Sequence, residues 1–463
     1  MAVATEPAPA AEASSSSSLP PAIRVLDTVF VQPSEPAPPE SSLPLTFFDI
    51  FWINSPPVER VFFYRLAPDA DADAILSNLK SSLPTAVRAF FPLAGRLRLA
   101  PGSAHRYELH YRPGDGVAFT VAESAADADE LAGDDAREVA AIAPFLPPLP
   151  AGGALLALQA TLLSGRRGLA LGVTVHHAAC DGAGSTHFLR TWAAFCTGAP
   201  SPPPPPVIDR SLLLADPRGL YDVFCTAVPT SDEAQFVKMA PDQLLATFVL
   251  SKDDLQRVKD AVAAEDATPP RCSSFVAALG LVWSCYHRAK KESGITGDND
   301  DAGGRACLLF AVDHRSRTNP PLPDTYLGNC VGPALAVAPL DAGGLFAACA
   351  AVAASIKEAA AEFGTPRMDA WMERVREAAA MVPLSVAGSP RFRVYEMDFG
   401  FGAPAKVDIV SVARTGAVAV AESRSGDGGG LEVGVSLRPR GMDAFRKCFA
   451  DAMAWLHSRS GAE

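Results

Sequence analysis

A run of consecutive prolines, within residues 199–207, limits how the chain can fold more than any other feature of the sequence. Proline lacks the backbone N–H that helix interiors and central strands need, so such a run forms a stiff, extended spacer. At 463 residues the chain is also too long for one ordinary core. We therefore predict a crossover linker over 197–240 between an N-terminal domain, 21–196, and a C-terminal domain, 241–463. The Ala-, Pro- and Ser-rich segment 1–20 is predicted to be a disordered tail.

Both halves of the chain mix strand-like and helix-like patterns, which indicates an α/β (α+β) fold with two mixed sheets and helices. Short β-branched apolar runs predict strands, and longer stretches with apolar residues at helical spacing predict helices. The predicted strands are 22–31, 61–66, 169–175, 244–250, 305–313, 331–338, 393–399, 417–423 and 431–437. The predicted helices are 71–84, one that starts near Ser185, 273–290, 345–363, 368–381 and 442–457.

Charge and cysteine content exclude several classes of protein. A formal net charge of −12 argues against a general nucleic-acid binder, which carries a basic stripe. The nine cysteines are spread without a Cys-x-x-Cys pair, so they predict neither a disulfide framework nor a zinc site and favour a reducing compartment. The chain start does not have the pattern of a signal peptide, and no run approaches the roughly 20 apolar residues that span a bilayer. We expect a soluble, cytoplasmic protein that binds no membrane and no metal.

The stretch 168–192 carries the strongest signal for chemistry. Its apolar first half, which ends at Val175, predicts a buried strand, and two histidines follow directly. His177 and Asp181 form the pattern H-x-x-x-D, and Gly182 then breaks the backbone pattern before a helical spacing returns. An imidazole with an ordinary pKa of about 6.5 is a natural base for a hydroxyl at neutral pH. The carboxylate could orient that ring, or it could fix the loop by pairing with an arginine; the pattern alone also allows a purely structural histidine.

Two further patterns lie in the second half of the chain. Residues 398–402, Asp-Phe-Gly-Phe-Gly, place two glycines around an aromatic residue, which lets the backbone turn sharply. In the other pattern Asp313, Arg315 and Arg317 alternate, so an extended segment would present them on one face. One of these arginines could pair with a buried carboxylate, and a solvated edge strand is the alternative interpretation.

Together these motifs resemble those of a known family. Residues 177–182, His-Ala-Ala-Cys-Asp-Gly, and residues 398–402, in that order and at that separation, are similar to the motifs of the plant BAHD acyl-CoA-dependent acyltransferases. The resemblance extends over nearly the whole chain beyond residue 20. Three segments resemble the branch of anthocyanin and flavonoid glycoside acyltransferases, many of which use malonyl-CoA, and one resembles the family's early motif. These segments are 43–49, 326–330 and 402–408 for the branch, and 91–97 for the early motif.

Two positions depart from the pattern of the family and its branch. Phe401 stands where the family usually has Trp, and Leu327 stands where the branch has Phe. Both residues keep a large apolar side chain, so we expect the packing to be retained. The departures bear on the assignment to malonyl donors rather than on the family.

The resemblance implies two domains like chloramphenicol acetyltransferase, with a channel between them that holds His177. There His177 would act as general base while a hydroxylated acceptor takes the acyl group directly from acyl-CoA, without an acyl-enzyme. The acyl-CoA is a co-substrate, so no resident cofactor is implied, and we expect a monomer. Asp181 is implied to pair with an arginine of the second domain, for which we favour Arg315 and hold Arg317 in reserve. The expected structural support comprises Asp181, Gly182, Arg315, Asp398, Gly400 and Gly402, the last three in a turn remote from the chemistry.

The donor is the open question at this stage. A malonyl group carries a carboxylate whose burial requires a cation, and a hydroxycinnamoyl group would require an aromatic slot. The branch resemblance favours malonyl and a flavonoid, anthocyanin or other phenolic glucoside as acceptor. Hydroxycinnamoyl-CoA is the alternative donor. The candidate cations are Arg190, Arg393 and Lys406, and the candidate aromatic contacts are Phe47, Phe48, Trp52 and Phe401.

Three other interpretations receive less weight. His176, on the opposite side of the strand from His177, is expected to be a packed core histidine. Cys180 could carry a covalent acyl group, although cysteines in apolar settings usually only pack. A metal could be held by His177, Asp181 and His187, but no convincing further ligand lies nearby. The chain could also be a catalytically inactive binding protein of the same fold, an alternative that the presence of His177 disfavours.

Overall fold

The structure is a computed structural model that describes residues 22–227, 239–265, 270–294, 305–426 and 428–459. The predicted tail, 1–20, lies outside the described residues. The strands are β1 (Ile23–Val31), β2 (Ser41–Pro44), β3 (Val58–Arg65), β4 (Arg96–Leu99), β5 (Tyr107–Tyr111), β6 (Val117–Ser124), β7 (Arg137–Glu138), β8 (Leu156–Leu162), β9 (Gly168–Val175), β10 (Leu244–Leu250), β11 (Ala306–Asp313), β12 (Val331–Ala338), β13 (Leu384–Gly388), β14 (Lys406–Ile409), β15 (Ala417–Glu422) and β16 (Leu431–Leu437). The helices are α1 (Phe47–Ile50), α2 (Ala72–Ala89), α3 (Ala128–Leu131), α4 (Val139–Ile142), α5 (Gly182–Thr197), α6 (Ser211–Leu214), α7 (Leu220–Ala227), α8 (Lys252–Ala263), α9 (Ser274–Glu292), α10 (Leu340–Glu362), α11 (Trp371–Ala380), α12 (Val412–Thr415) and α13 (Pro439–Arg459).

Two large mixed sheets organise the described chain, as the α/β prediction requires. The first sheet has the strand order β1-β6-β8-β9-β3-β14, and the second has the order β12-β11-β13-β15-β16-β10-β7. Each sheet combines antiparallel pairs with parallel ones, β6 with β8 in the first and β13 with β11 and β15 in the second. A small third sheet, β2-β5-β4, lies beside them. The fold class predicted from the sequence is confirmed.

Each large sheet contains one strand that comes from the other half of the chain. β14 comes from the second half and pairs with β3 of the first sheet, and β7 comes from the first half and pairs with β10 of the second. The buried pair Arg137–Asp408, with an N–O distance of 2.9 Å, joins these two exchanged strands. No single cut of the chain separates the two sheets, so the predicted division at 197–240 marks a crossing of the chain rather than a clean boundary.

The described part of the predicted linker, up to residue 227, begins as an extended segment and continues into helices. Around the prolines the backbone forms no helix, and at Val207 it makes a bridge with Tyr326. After that the segment folds into α6 and α7, and Phe224 of α7 is buried against Phe47, with ring centroids 6.4 Å apart. Two helices therefore form within the predicted crossover linker, and apolar residues of α7 pack it onto the first core.

Helices cover one face of each sheet and bury the main cores. α2 packs against α5 over the first sheet, and Trp192 of α5 is fully buried there with its indole N–H 3.1 Å from the Ser82 hydroxyl. α9, α10 and α13 pack together over the second sheet. Within α10, residues Gly344–Glu362 are long and apolar enough to cross a membrane by length and composition, which the sequence analysis did not anticipate. This helix packs against α9 and β12.

One predicted strand is absent from its predicted place. Residues 393–399 form short 3₁₀ turns instead, because Arg393 adopts a left-handed backbone conformation with φ of 45°. By contrast β10, β12 and β16 have the predicted bounds.

Candidate active site

β9 delivers the histidine pair to the end of the first sheet. This strand is buried along its whole length between β8 and β3, and the chain leaves it after Val175. A tight turn follows and ends at Asp181, which caps α5: its Oδ1 accepts hydrogen bonds of 3.1 Å from the N–H groups of Ala183 and Gly184. Such a cap satisfies otherwise unpaired donors at the start of a helix. The turn that carries His177 is thus fixed at both ends, by a central strand and by a capped helix.

Asp181 pairs with Arg315, as expected, and not with the histidine. The guanidinium binds the carboxylate with two parallel bonds, Nη1 to Oδ2 at 2.8 Å and Nη2 to Oδ1 at 3.0 Å. Both side chains are buried, and the Cys330 N–H also donates to Oδ2. Arg317, the reserve candidate, donates instead to the carbonyl of Asp313. The carboxylate therefore holds the turn against the segment that follows β11 of the second sheet.

His177 is half-buried and stacks on an indole. Its ring lies 3.8 Å from the Trp52 ring, centroid to centroid, at an angle of 11°. Nδ1 is buried and has no hydrogen-bond partner within the described chain, and the residue lines a cavity. Burial lowers the pKa of His177 below its ordinary value, opposed by smaller effects that include the charge of Asp181. The lowered pKa favours the neutral ring at physiological pH.

A buried polar cluster, Asp49 with Asn329 and Arg210, supports this turn from behind. Asn329 donates to the His177 carbonyl at 2.9 Å and, through its backbone and side chain, to Asp49 Oδ1 at 3.0 Å. Arg210 donates to the other oxygen of Asp49 at 2.7 Å, and Thr46 donates to that oxygen as well. Sequence reasoning assigned no role to Asp49, Asn329 or Arg210. The signal was present, because Asp49 and Asn329 lie in two of the segments that resemble the glycoside acyltransferase branch.

The turn opens into a cavity of about 640 Å³ that both large sheets line. Most of its wall is apolar, as is usual for a site that binds small molecules. From the first sheet and the turn it is lined by Val58, Arg60, Val175, His177, Asp181 and Gly182. From the second sheet it is lined by Leu309, Ala311, Val331, Val386 and Val420. His177 therefore faces a space that strands of both sheets enclose.

Gly182 lies where the cavity wall is tight. A Cβ at this position would lie 2.4 Å from two ring carbons of Phe392, which also lines the cavity. Any larger residue here would displace that ring, so a glycine is needed for close approach rather than for an unusual backbone angle.

Three predicted aromatic contacts do not line the cavity. Phe47 and Phe48 are buried in the first core, where Phe48 lies 6.2 Å from Phe363 between ring centroids. Phe401 packs edge-on against Tyr64 at 4.9 Å, next to the glycine turn. Of the four aromatic candidates only Trp52 lines the cavity, where Phe51 accompanies it.

The three predicted cations are also placed elsewhere. Lys406 is fully buried and its ammonium is bonded to Asp134, at 2.6 Å, and to Thr247. The other two, Arg190 and Arg393, both bind Glu396 on the outside of the turns that follow β13. None of the three lines the cavity. Sequence position alone does not show whether a cation already has an internal partner.

The glycine turn, residues 398–402, does not line the cavity. Asp398 Oδ1 accepts bonds from the N–H groups of Gly400, at 2.7 Å, and Gly402, at 2.9 Å. Both glycines have φ near +100°, 98° and 101°, which other residues adopt only with strain. Phe399, which precedes Gly400, packs edge-on against Trp192 of the first core, with ring centroids 4.9 Å apart. The turn thus locks an aromatic residue into the first core.

The other nucleophile and metal candidates fit the site poorly. Burial raises the pKa of the Cys180 thiol to about 12, so it is protonated at neutral pH and is a weak nucleophile. Burial, and then the neighbouring His177, lower the pKa of His176 to about 4, and its Nδ1 accepts a bond from Ala178 N–H at 3.2 Å. His187 binds the Pro204 carbonyl through Nε2. Among the described residues no group of three His, Cys, Asp or Glu side chains could hold a metal ion.

Comparison with known proteins agrees with this geometry. A family model described as the Transferase family matches residues 22–452. A malonyl-CoA:anthocyanidin 5-O-glucoside-6''-O-malonyltransferase of Arabidopsis thaliana is 33% identical over 456 residues, which cover 93% of this chain and 98% of that protein. A coumaroyl-CoA:anthocyanidin 3-O-glucoside-6''-O-coumaroyltransferase 1 of the same plant is 30% identical, over 91% of this chain and 96% of its own.

A solved structure shares the fold. Vinorine synthase superposes with a TM-score of 0.69 at 19% sequence identity, and the match covers 91% of this chain and 96% of that one. At this sequence identity, the structural similarity shows a shared fold and nothing further. With a histidine turn facing a cavity between two sheets, and with the family model and these relatives matched over nearly all of its length, the chain belongs to the BAHD acyl-CoA-dependent O-acyltransferases of the Transferase family.

Proposed function

We propose that this acyltransferase transfers a malonyl group from malonyl-CoA to a sugar hydroxyl of a phenolic glucoside, such as a flavonoid or anthocyanin glucoside, with His177 as general base. The observation that carries the proposal is that His177, with a pKa lowered by burial, lines a cavity between the two sheets. The anthocyanidin glucoside malonyltransferase supports the choice of donor and acceptor.

In the proposed reaction the acceptor oxygen attacks the thioester carbonyl while His177 Nε2 takes the hydroxyl proton. This attack forms a tetrahedral intermediate in which the former carbonyl carbon carries the new C–O bond, the C–S bond and an oxyanion. The intermediate collapses as the C–S bond breaks and the CoA thiolate leaves. The imidazolium then returns its proton, so the products are the malonyl ester and free CoA thiol. The thiolate resembles that of cysteine, with a pKa of about 8.5, and it leaves with little acid help. General-base catalysis of this kind contributes about 10²–10⁴ in rate, and positioning supplies much of the rest.

Trp52 and Asn329 have distinct roles in this proposal. The indole face attracts the positive ring that forms when His177 takes the proton, a cation–π effect of about 0.5–2 kcal/mol. Asn329 donates to the His177 carbonyl and so fixes the backbone that positions the imidazole ring in the cavity. Asp181, bound to Arg315, positions the turn and does not polarise the imidazole.

A second donor class has support of its own. The cavity contains several aromatic side chains that suit a hydroxycinnamoyl group, namely Phe51, Trp52, Phe275, Phe310 and Phe392. The coumaroyltransferase relative is nearly as similar as the malonyltransferase. A competition that offers malonyl-, acetyl- and coumaroyl-CoA together, with a panel of flavonoid glucosides and product masses as the readout, decides between the donors.

The cellular setting follows the same argument. All nine cysteines are free thiols, which supports a reducing, cytoplasmic location. We also retain the expectation of a monomer without a resident cofactor.

The base is tested by His177→Ala, with His176→Asn as the matched control. We expect His177→Ala to lower kcat at least 100-fold with unchanged circular dichroism, because the proton acceptor is lost. In His176→Asn the amide oxygen can still accept the bond from Ala178 N–H, so activity should stay within about tenfold of the wild type. Equal loss in both variants would argue for a general distortion of the turn, and full activity of His177→Ala would remove the mechanism. Wild-type protein that binds acyl-CoA but releases no free CoA thiol would support a binding protein instead.

A further inference from the structure

Arg60 is a buried cation in the wall of the cavity. It lies in β3, the strand next to the edge strand β14 of the first sheet, opposite Val173 of β9 on one side and Ile409 of β14 on the other. Its residue is only 3% exposed, and its side chain reaches the first turns of α5. It lines the same cavity as His177.

Its hydrogen bonds leave the positive charge without a counter-charge. Nη1 donates to the Thr186 hydroxyl at 3.1 Å and Nη2 donates to the Ser185 hydroxyl at 2.8 Å. Nε is buried with no partner in the part of the chain that the structure describes. A guanidinium has five N–H donors, so three of them remain unused by these two bonds. Neither partner is a carboxylate.

The two other fully buried arginines around the site are neutralised. Arg210 binds Asp49 at 2.7 Å and Arg315 binds Asp181 at 2.8 Å. Burial of an unpaired charge is expensive, and proteins normally compensate it with a partner of opposite sign. The cost is visible at Arg60, where burial lowers the pKa of the guanidinium to about 10. Among the described residues Arg60 therefore has hydroxyl partners for two of its donors and no carboxylate paired with it.

The location of Arg60 suits an anion that belongs to the acyl donor. Arg60 and Cys180 each influence the pKa of the other, so the guanidinium lies near the turn that carries His177. The first turn of α5, which supplies Ser185, adds the positive end of a helix dipole to the same place. In a malonyl thioester one methylene separates the reacting carbonyl from the free carboxylate. A carbonyl held at His177 therefore keeps its carboxylate within the same small region.

We propose that Arg60, held by Ser185 and Thr186, is the receptor for the free carboxylate of the acyl donor and selects dicarboxylic acyl-CoA over neutral acyl-CoA. This inference rests on the proposed malonyl donor and assigns its specificity to one side chain. The carboxylate accepts the unused N–H donors of the guanidinium, and the charge-assisted pair compensates the burial of both groups.

The test compares two donors in Arg60→Gln. With malonyl-CoA we expect kcat/KM to fall at least 100-fold, mainly through KM, while kcat/KM with acetyl-CoA stays within fivefold of the wild type. Free malonate should compete with acetyl-CoA in the wild type and lose at least tenfold in potency in the variant. Arg190→Gln is the matched control, since this arginine does not line the cavity, and its donor preference should not change.

Four other outcomes would contradict this assignment or the proposed donor. If Arg60→Gln loses both donors to the same degree, Arg60 only ties β3 to α5 and the receptor role is wrong. If that variant does not fold, Arg60→Lys decides: the ammonium cannot reproduce the planar donor set, so the malonyl-to-acetyl ratio should drop at least tenfold, and an unchanged ratio refutes the role. Wild-type protein that shows no preference for malonyl-CoA overturns the proposed donor together with this role. Wild-type preference that survives in Arg60→Gln overturns the role alone.

Discussion

The protonation state of His177 decides when the enzyme can work. Its ring must be neutral to accept a proton, and burial, the largest influence, lowers its pKa. A lowered pKa extends the neutral form towards acid, so the base is already available where an ordinary histidine would be charged. Stacking on Trp52 adds a face that favours the charged ring once it forms, so the same contact that helps bury the histidine also assists the proton transfer.

We therefore expect the pH profile of kcat/KM to have its acid limb below the ordinary histidine pKa of about 6.5. The rate should rise with unit slope through that limb and stay level across neutral pH. Initial rates with subsaturating donor between pH 4.5 and 8.5 provide the measurement, with folding monitored by fluorescence at each pH. An inflection at or above pH 6.5 in a protein that remains folded would contradict a desolvated base.

At this scale the sequence predicted the groups whose chemistry is unusual and missed the ones whose partners matter. The resemblance to the family motif singled out His177, and it also implied that Asp181 pairs with an arginine, for which Arg315 was favoured. Lys406 could not be excluded from the site, since its bond to Asp134 spans 272 residues of chain. Arg60 could not be included for the complementary reason: only the structure shows that its described partners are hydroxyl groups and not a carboxylate.

α5 shows how one residue can end a turn, begin a helix and join two halves of a molecule. Asp181 caps the helix with one oxygen and shares both oxygens with Arg315. The cap is a local interaction that asparagine can reproduce. Asparagine cannot reproduce the ion pair, because its neutral amide leaves the buried guanidinium without a counter-charge.

The substitution Asp181→Asn should thus destabilise the protein by about 3–5 kcal/mol, the usual cost of breaking a buried ion pair. Chemical denaturation of the purified variant, with activity assayed in parallel, measures this loss. Arg317→Gln serves as the control, because Arg317 is exposed and bonds only to a backbone carbonyl within its own segment, and its stability should equal that of the wild type. Wild-type stability of Asp181→Asn would mean that the pair does not hold the turn.

Elements with a strong local pattern were the predictable ones. β10, β12 and β16 are continuous apolar or alternating runs, and their ends coincide with the predicted bounds. Strands such as β14 were missed, since four residues give too little periodicity and their pairing partner is hundreds of positions away. The stretch 393–399 failed for another reason: β-forming residues were present, but a left-handed Arg393 turns the chain.

On the scale of the whole molecule, the exchange of β7 and β14 makes the two sheets depend on each other. Each strand completes a sheet built by the other half, and Arg137 and Asp408 join the exchanged strands through a buried ion pair. Lys406 adds a second link from β14 to Asp134. Separation of the halves would expose sheet edges and leave buried charges unpaired, so partial unfolding is unfavourable.

Thermal unfolding should accordingly occur as one transition with equal calorimetric and van't Hoff enthalpies, although a chain of this length often unfolds in steps. Differential scanning calorimetry measures both quantities. Arg137→Met should lower the transition temperature or split the transition, whereas Arg446→Gln, which breaks an exposed pair with Asp135, should leave it unchanged. Two separate transitions in the wild type would show that the exchange does not couple the sheets.

The stacked pair of Trp52 and His177 has a consequence for how the enzyme can be observed. Indole emission is quenched by a protonated imidazole in contact with it, and here the two rings lie face to face at 3.8 Å. Tryptophan is present at only five positions in the chain, so the signal of one of them is not lost among many. The fluorescence of Trp52 thus reports protonation of the His177 ring without any added label.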